Sequence, residues 1–388
     1  MRHRPVLQPF SFIPCLLSLW FVISLSPLCA LPERPFDFPS ARLAALGGRH
    51  GTLVNDFTAL WTNPAGFVEA KEEFSISELG LSVYGPVFDI ADTLVNYFGS
   101  SGSLDITGIV GPGGLTTGLN LSGPVAFGWV GRGLGFGLFN RTVADAATQG
   151  ATIKVQALEE FLMTGGYSFR VINKNSSLLD VGFLGKGFIR GQLPLEASIL
   201  TVTDLFNSNP LETQPYTNVL GVGLDLGLLY QYAKFLSFSL VYYDAYSPVL
   251  VVPYSSTISF ISGGAASGSG TYNTIKSSLD VGFAVSPRFE FLNRYVSKLT
   301  FMADYRDILD LWALIPRNPI LNVGLGFEMV VLDALSLRAG ISDALPALGF
   351  GIDFSVMQLD FAMRGVELGL DPGVQTTYAV DLGLLFRY

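Results

Sequence analysis

The C-terminal stretch Thr376-Thr-Tyr-Ala-Val-Asp-Leu-Gly-Leu-Leu-Phe-Arg-Tyr388 alternates apolar residues with small or polar ones. Successive side chains of a β-strand point to opposite faces, so this period of two predicts a strand. One face carries Tyr378, Val380, Leu382, Leu384, Phe386 and Tyr388, and the other carries Thr377, Ala379, Asp381, Gly383 and Arg387. Such a strand meets an apolar medium on one side and a polar space on the other.

The same alternation recurs upstream and predicts about fourteen strands in all. They are 73–84, 124–131, 133–142, 160–171, 178–190, 218–231, 235–246, 275–287, 297–307, 320–330, 334–342, 347–355, 358–366 and 376–388. Their connections alternate between short and long, as the turns and loops of an outer-membrane barrel do, except that 288–296 is long for a turn and 343–346 is short for a loop. The long connections are 85–123, 143–159, 191–217, 247–274 and 308–319. An even strand number puts both barrel ends on the short-turn, periplasmic side.

The composition is that of a chain in contact with lipid. Of the 388 residues, 49% are hydrophobic and 14% are charged, against roughly 25% charged in soluble domains. After about residue 30 no apolar run reaches the length of about 18 residues that a membrane-spanning helix needs. Backbone groups in hydrocarbon must pair within the chain, which leaves the closed barrel. The sequence therefore predicts an all-β transmembrane antiparallel β-barrel. The alternative, a soluble sandwich with its apolar faces packed together, does not account for the rhythm of the connections.

Residues 1–30 are typical of an export signal. Arg2 and Arg4 precede an apolar stretch, and Ala30 is a small residue at the predicted cleavage site. An uncleaved anchor and a lipid-bearing Cys29 are the alternatives. Both cysteines lie in this segment, and its removal leaves 21 basic against 32 acidic residues, a net charge of −11. This balance argues against nucleic-acid binding, and the predicted location is the bacterial outer membrane.

Residues 31–72, here called the hatch, precede the predicted barrel of residues 73–388. Ser40-Ala-Arg-Leu-Ala-Ala-Leu-Gly-Gly48 predicts a short helix with a serine cap and a glycine stop. A barrel of fourteen strands encloses a lumen that its own side chains cannot fill. The hatch is therefore predicted to plug the lumen.

Catalysis finds little support in the sequence. His3 and His50 are the only histidines, and His3 belongs to the predicted signal. Catalytic triads and histidine-rich metal sites therefore lack their parts. We expect no enzyme activity, metal or cofactor, and we interpret His50 as a hydrogen-bonding surface residue.

Charged side chains fall on the faces predicted to point into the lumen. The basic ones are Arg141, Lys186, Arg190, Arg306, Arg338 and Arg364, and the acidic ones are Asp180, Asp304, Glu328, Asp353 and Asp360. They could form ion-pair networks within the barrel, or some could clamp an anionic head group.

Five residues are the ligand-binding candidates. Lys186 and Arg190 are the best candidates for a clamp because they precede the loop 191–217, and Arg141 shares their predicted inward orientation. Leu200 and Phe206 would give this loop an apolar face for a ligand. Loop 247–274 is also apolar at its start, and packing between the two loops is the alternative.

The hatch sequence carries a resemblance to a known family. Ala44-Ala-Leu-Gly-Gly48, followed by Asp56-Phe-Thr-Ala-Leu-Trp-Thr-Asn-Pro-Ala-Gly66, resembles the hatch of the FadL-type outer-membrane transporters of long-chain fatty acids and hydrocarbons. By position, Asn63, Pro64, Ala65 and Gly66 match the hatch motif. The long first outer loop, 85–123, departs from the family plan.

The resemblance implies passive uptake of a hydrophobic small molecule such as a long-chain fatty acid. The molecule would be captured by the outer loops, held against the hatch and released through an opening in the wall. Implied partners are outer-membrane lipid and, from the C-terminal strand ending in Tyr388, the barrel assembly machinery. Branches that resemble PorV of a secretion system have the same hatch. A binding or assembly component of a secretion or surface-display system is therefore the alternative.

Overall fold

The computed structural model describes residues 30–31, 38–54, 56–87, 89, 114–149, 151–198, 209–233, 235–288 and 294–387. Most of the predicted export signal lies outside these residues. None of the helices in the described ranges is both long and apolar enough to cross a membrane.

In the part of the chain that the structure describes, seventeen strands form one continuous sheet. They are β1 (Ala30–Leu31), β2 (Glu73–Gly85), β3 (Thr116–Gly131), β4 (Leu134–Gln149), β5 (Thr152–Lys174), β6 (Ser177–Ser198), β7 (Tyr216–Tyr232), β8 (Leu236–Tyr246), β9 (Pro248–Tyr254), β10 (Thr271–Ile275), β11 (Ser278–Val285), β12 (Val296–Tyr305), β13 (Val323–Val331), β14 (Leu335–Ser342), β15 (Leu345–Asp353), β16 (Met357–Glu367) and β17 (Thr376–Arg387). Strands β2 to β8 and β11 to β17 form a ring in which each pairs antiparallel with its neighbours. The ring closes where Leu382 of β17 pairs with Leu81 of β2. The predicted antiparallel barrel of fourteen strands is confirmed.

Strands β9 and β10 extend this wall on the long-loop side. Beyond the end of β8, the upper part of β7 pairs instead with β9, as Val219 does with Val251. β10 pairs with β9, and β1 adds two parallel pairs to β10. The predicted loop 247–274 is therefore mostly a hairpin, with a short helix at Thr257–Ile261.

The wall is taller on one side of the barrel than on the other. β5 and β6 have 23 and 22 residues, whereas β11 and β14 have 8 each. The 23 residues of β5 are far more than the roughly 9–11 that a strand needs to cross a bilayer. At about 3.3 Å per residue, β5 spans about 75 Å. The prediction of a long loop at 143–159 is wrong, because β4 and β5 continue through most of these residues. Residues 191–198 of the predicted loop 191–217 also belong to a strand, β6. Strands above the membrane meet water on both faces and need no apolar alternation, so the pattern stops before the strand does.

The two faces of the ring have opposite polarity. Large apolar side chains are exposed on the outside: examples are Phe136, Met163, Phe183, Phe238, Phe301, Leu348 and Leu382. Acidic and basic side chains such as Glu160, Arg190, Glu328 and Arg338 are buried inside. A closed sheet with an apolar exterior is the architecture of outer-membrane proteins, and the predicted location follows from it.

Candidate functional site

The hatch lies across the lumen. Its described part contains α1 (Ala41–Ala45), α2 (Ala59–Thr62) and a 3-10 helix (Pro64–Val68). The N-terminal cap of α1 is Ser40, whose Oγ accepts a hydrogen bond from the Leu43 amide at 3.4 Å. α1 contacts strands β14 to β17, and the 3-10 helix contacts β3 to β7 on the opposite side of the ring. A segment that touches both sides must fill the space between them.

Small residues on both partners allow α1 to approach the wall. The wall opposite the end of α1 has Gly326, Gly340 and Gly349 on three adjacent strands. A Cβ atom on Gly326 would stand 2.8 Å from the Leu46 carbonyl oxygen, and one on Gly349 would stand 2.5 Å from the Ala45 Cβ. Both distances are shorter than a van der Waals contact, so these glycines give the hatch its close fit.

The motif Asn63-Pro64-Ala65-Gly66 packs on a second set of glycines. The Asn63 amide nitrogen donates to the Gly51 carbonyl at 2.8 Å and to the Leu228 carbonyl of β7 at 3.2 Å, and its oxygen accepts from the Ala65 amide at 3.0 Å. Pro64 lies against Gly182 of β6 and Gly227 of β7, where a Cβ would collide with it. Asn63 thus joins the hatch to itself and to the wall.

An ion-pair chain anchors the other side of the hatch. Arg42 of α1 forms two hydrogen bonds with Glu328 of β13, at 2.9 and 3.0 Å, and also pairs with Asp56 of the hatch. Glu328 pairs in turn with Arg338 at 3.0 Å, and Arg338 with Asp360 at 2.5 Å. The sequence predicts inward positions for Glu328, Arg338 and Asp360, but not their link to the hatch.

Asp56 illustrates the electrostatics of this anchor. Burial alone would raise its pKa, but the charge of Arg42 and hydrogen bonds from Thr58 outweigh burial and lower the pKa. The Thr58 amide donates to Asp56 at 3.0 Å, and the Thr58 hydroxyl donates at 2.5 Å. Asp56 is therefore held as a carboxylate that keeps Arg42 in place.

His50 is a third attachment point. Its Nδ1 lies 2.6 Å from the Asp304 carboxylate of β12, its Nε2 lies 2.7 Å from the Leu46 carbonyl, and its side chain is fully buried. The Gly51 amide donates to the same carboxylate at 3.0 Å. The interpretation of His50 as a surface residue is wrong, because β12 supplies a partner that the sequence pattern does not reveal.

An aromatic cluster fills the space between the hatch and β4. Phe38 stacks on Trp61 with ring centroids 4.7 Å apart, and Trp61 meets Phe139 edge-on at 4.4 Å. Phe57 packs against both Trp61 and Phe139. Aromatic pairs add about 0.5–1.5 kcal/mol each beyond burial, so this cluster contributes to the docked position of the hatch.

Two cavities flank the hatch. The outer cavity, of about 260 Å³, is lined by Phe38, Pro39, Ser40, Leu43, Ala44, Gly48, Arg49, Trp61, Ser82, Asn120, Arg306, Ser342, Asp343, Arg364 and Asp381. The periplasmic cavity, of about 390 Å³, includes Arg42, Asp56, Lys71, Glu73, Lys298, Glu328, Asp333, Arg338, Asp353 and Arg387. A space of about 30 Å³ lies beside α1 and shares Pro39 with the first and Arg42 with the second. The anchor of Arg42 therefore stands between the two cavities.

The strand ladder is interrupted next to this small space. Pairing between β2 and β3 stops at Ser75 and resumes at Gly80, and pairing between β3 and β4 shifts between Ser122 and Ala126. Glu78 and Leu79 of the interrupted part line the small space. Here the wall is held by fewer backbone hydrogen bonds than in a regular ladder.

The predicted ligand-binding residues lie away from the outer cavity. Lys186 contacts Asp225 at 2.8 Å and Asp244 at 2.6 Å. Arg190 contacts Glu160 at 2.6 Å, and Arg141 lies 4.0 Å from that same carboxylate. All three cations are buried in networks within the wall, which matches the ion-pair alternative. Ligand binding by them remains a prediction. Leu200 and Phe206 lie outside the described residues.

Sequence reasoning missed the roles of Arg42 and Asp56. The available signal is a charged residue in a run of small ones: Arg42 is the single charge in Ser40–Gly48. A buried charge requires a partner, so this arginine predicts a carboxylate facing it. Among the described residues, no group of three or more His, Cys, Asp and Glu side chains is arranged to hold a metal ion.

Comparison with known proteins gives a likeness of fold. No family model and no curated protein matches the chain. The Pseudomonas putida toluene transporter TodX matches 93% of this chain and 99% of its own, at 12% identity and a TM-score of 0.44. The Ralstonia pickettii toluene transporter TbuX matches 91% and 98%, at 13% identity and a TM-score of 0.47. A Pseudomonas aeruginosa FadL homologue matches 93% and 99%, at 12% identity and a TM-score of 0.46.

Proposed function

We propose that this protein takes up hydrophobic small molecules passively across the outer membrane, with long-chain fatty acids as the first class to test. The observation that carries the proposal is the hatch, which lies between two cavities and is docked by side-chain contacts. Such contacts can be exchanged without unfolding the barrel. The hydrocarbon transporters named above, TodX and TbuX, carry toluene according to their descriptions. We assign no catalytic step to the chain.

The proposed route begins at the outer loops and reaches the outer cavity. From there a molecule passes the small space beside α1 when the hatch shifts. It leaves either into the periplasmic cavity or through the interrupted ladder between β2 and β3. The second exit suits an apolar molecule, because Leu79 borders the space and the exterior of the wall faces lipid.

A disulfide staple between the hatch and the wall tests the gating step. The Ala41 Cβ lies 3.6 Å from the position that a Cβ on Gly383 of β17 would take, within the range of about 3.5–4.5 Å for disulfides. Ala41→Cys with Gly383→Cys would introduce the only thiols after residue 30. We expect uptake of radiolabelled oleate by cells without another fatty-acid importer to fall to the vector level on oxidation. Reduction should restore it.

Ala41→Cys alone is the matched control and should import oleate at the same rate in oxidising and reducing medium. The cross-link itself is verified by gel mobility. Unchanged uptake by fully cross-linked protein would refute hatch gating, and uptake no faster than the vector level by the wild type would refute long-chain fatty acids as the substrate class.

A second candidate function rests on an exposed apolar surface. The connection between β12 and β13 exposes Trp312 to 76%, Leu314 to 99% and Ile315 to 70%. Exposed apolar groups of this kind often bind a partner, which favours the secretion or surface-display alternative. A stoichiometric protein recovered with the wild type from native membranes, and lost with Leu314→Ser and Ile315→Ser, would support it. A protein that is recovered alone would exclude it.

A further inference from the structure

The outer cavity has two sides of different chemistry. Phe38 and Trp61 of the hatch form an aromatic side, with their rings stacked at an interplanar angle of 13°. Arg49, Arg306 and Arg364 form a cationic side, against the carboxylates of Asp343 and Asp381. A cavity with this combination suits a ligand that is apolar and flat at one end and anionic at the other.

The cations of this side differ in how well they are neutralised. Arg364 pairs with Asp381 at 3.0 Å. Asp343 lies 2.9 Å from Arg317 but 3.9 Å from Arg306. The closer contacts of Arg306 are to neutral oxygens, the Ser342 hydroxyl at 3.0 Å and the Leu321 carbonyl at 3.3 Å. Arg306 is thus positioned mainly by neutral oxygens, and its ion pair with Asp343 is the longer contact.

The surroundings of Arg306 contain charges of both signs. Burial lowers the pKa of Arg306, the charges of Asp343 and Asp280 raise it, and those of Arg49 and Arg317 lower it. An added anion would lower the electrostatic energy of the site. A guanidinium favours a carboxylate in particular, because two N–H groups can bind its two oxygens.

We propose, on the basis of the uptake function proposed above, that the outer cavity binds a small aromatic carboxylate. The carboxylate accepts hydrogen bonds from Arg306, and the ring packs on the side formed by Phe38 and Trp61. Pockets for drug-sized ligands measure about 300–1,000 Å³. A cavity of about 260 Å³ can therefore enclose a single ring with its acid group, whereas an extended acyl chain that passes through it occupies it only in part.

Calorimetric titration of the purified full chain in detergent tests this assignment with three probes. Benzoate has both the ring and the charge, benzyl alcohol has the ring alone, and cyclohexanecarboxylate has the charge without an aromatic face. We expect saturable binding of benzoate and at least about tenfold weaker binding of the other two, since tenfold corresponds to one lost interaction of modest strength. Equal binding of benzoate and benzyl alcohol would overturn the role of the charge.

Two variants locate the site. Arg306→Gln should weaken benzoate binding by about tenfold or more and leave benzyl alcohol unaffected, and Arg306→Lys should retain part of the affinity. Arg132→Gln, at an exposed ion pair 2.6 Å from Glu72 in a periplasmic turn, is the matched control and should bind like the wild type. A gel shift between heated and unheated samples verifies that each barrel is folded.

The possible failures are distinguishable from one another. Absence of saturable benzoate binding, or wild-type affinity in folded Arg306→Gln, would overturn the assignment of this cavity. The uptake function would still stand if the oxidised staple blocked oleate import. Conversely, benzoate binding that depends on Arg306 would support the cavity even if the staple left oleate uptake unchanged.

Discussion

Arg42 provides the sharpest test of how the hatch is held. Arg42→Met removes the guanidinium and retains most of the apolar stem. The substitution breaks two hydrogen bonds to Glu328, at 2.9 and 3.0 Å, and the ion pair with Asp56. Glu328 keeps Arg338 at 3.0 Å and Lys298 at 3.8 Å, so it is not left without a cation.

The expected magnitude follows from these remaining contacts. Removal of one partner from a buried ion pair costs about 3–5 kcal/mol. Because Glu328 retains Arg338, we expect the lower end, about 3 kcal/mol, for docking of the hatch. This free energy changes the ratio of docked to undocked hatch by about two powers of ten.

Conductance in planar lipid bilayers measures the open fraction directly. We expect Arg42→Met to open far more often than the wild type, with the barrel itself still resistant to unfolding in detergent. Arg132→Met is the matched control, because its pair with Glu72, the last hatch residue, is exposed to water and such pairs contribute little. If Arg42→Met and the wild type had the same open probability, the ion-pair chain would not be what holds the hatch closed.

Three other perturbations address the remaining contacts. Gly182→Ala should displace the hatch, because its Cβ would stand 2.5 Å from the Pro64 carbonyl, and should weaken docking by about 1–3 kcal/mol. Gly187→Ala on the same strand has open space around the new Cβ and should leave conductance unchanged; equal effects of the two would contradict the close-fit explanation. Acidification should also undock the hatch. The pKa of Asp56 is lowered in the docked state, so its ionised form stabilises docking. This stabilisation is complete above the ordinary aspartate pKa of about 3.9, and it is lost as the pH falls through the lower pKa that Asp56 has in the docked hatch. Asp56→Asn should abolish this part of the pH dependence of conductance, and an unchanged pH profile would remove Asp56 from the mechanism. Finally, His50→Ala removes the contacts of both ring nitrogens, with the Asp304 carboxylate and the Leu46 carbonyl, and should raise the open probability of the hatch. An unchanged open probability in bilayer recordings would remove His50 from the attachment of the hatch.

The sequence alone determines the strands of the membrane-spanning wall and the polarity of its two faces. Alternation with a period of two is a local property, so segments such as 320–330 and 376–388 predict β13 and β17 to within a few residues. The same alternation predicts inward positions for Asp304, Glu328 and Arg338, and all three side chains are buried.

Tertiary structure decides what those inward residues do. Arg42 and Glu328 are 286 positions apart, and their meeting depends on the register of the strands and on where the hatch enters the lumen. The same holds for His50 with Asp304 and for Pro64 with Gly182. The sequence pattern also does not predict the lengths of β5 and β6, because strands above the membrane have water on both faces and show no apolar alternation there. Local alternation therefore specifies the wall, whereas contacts between distant segments specify the docked hatch and its cavities.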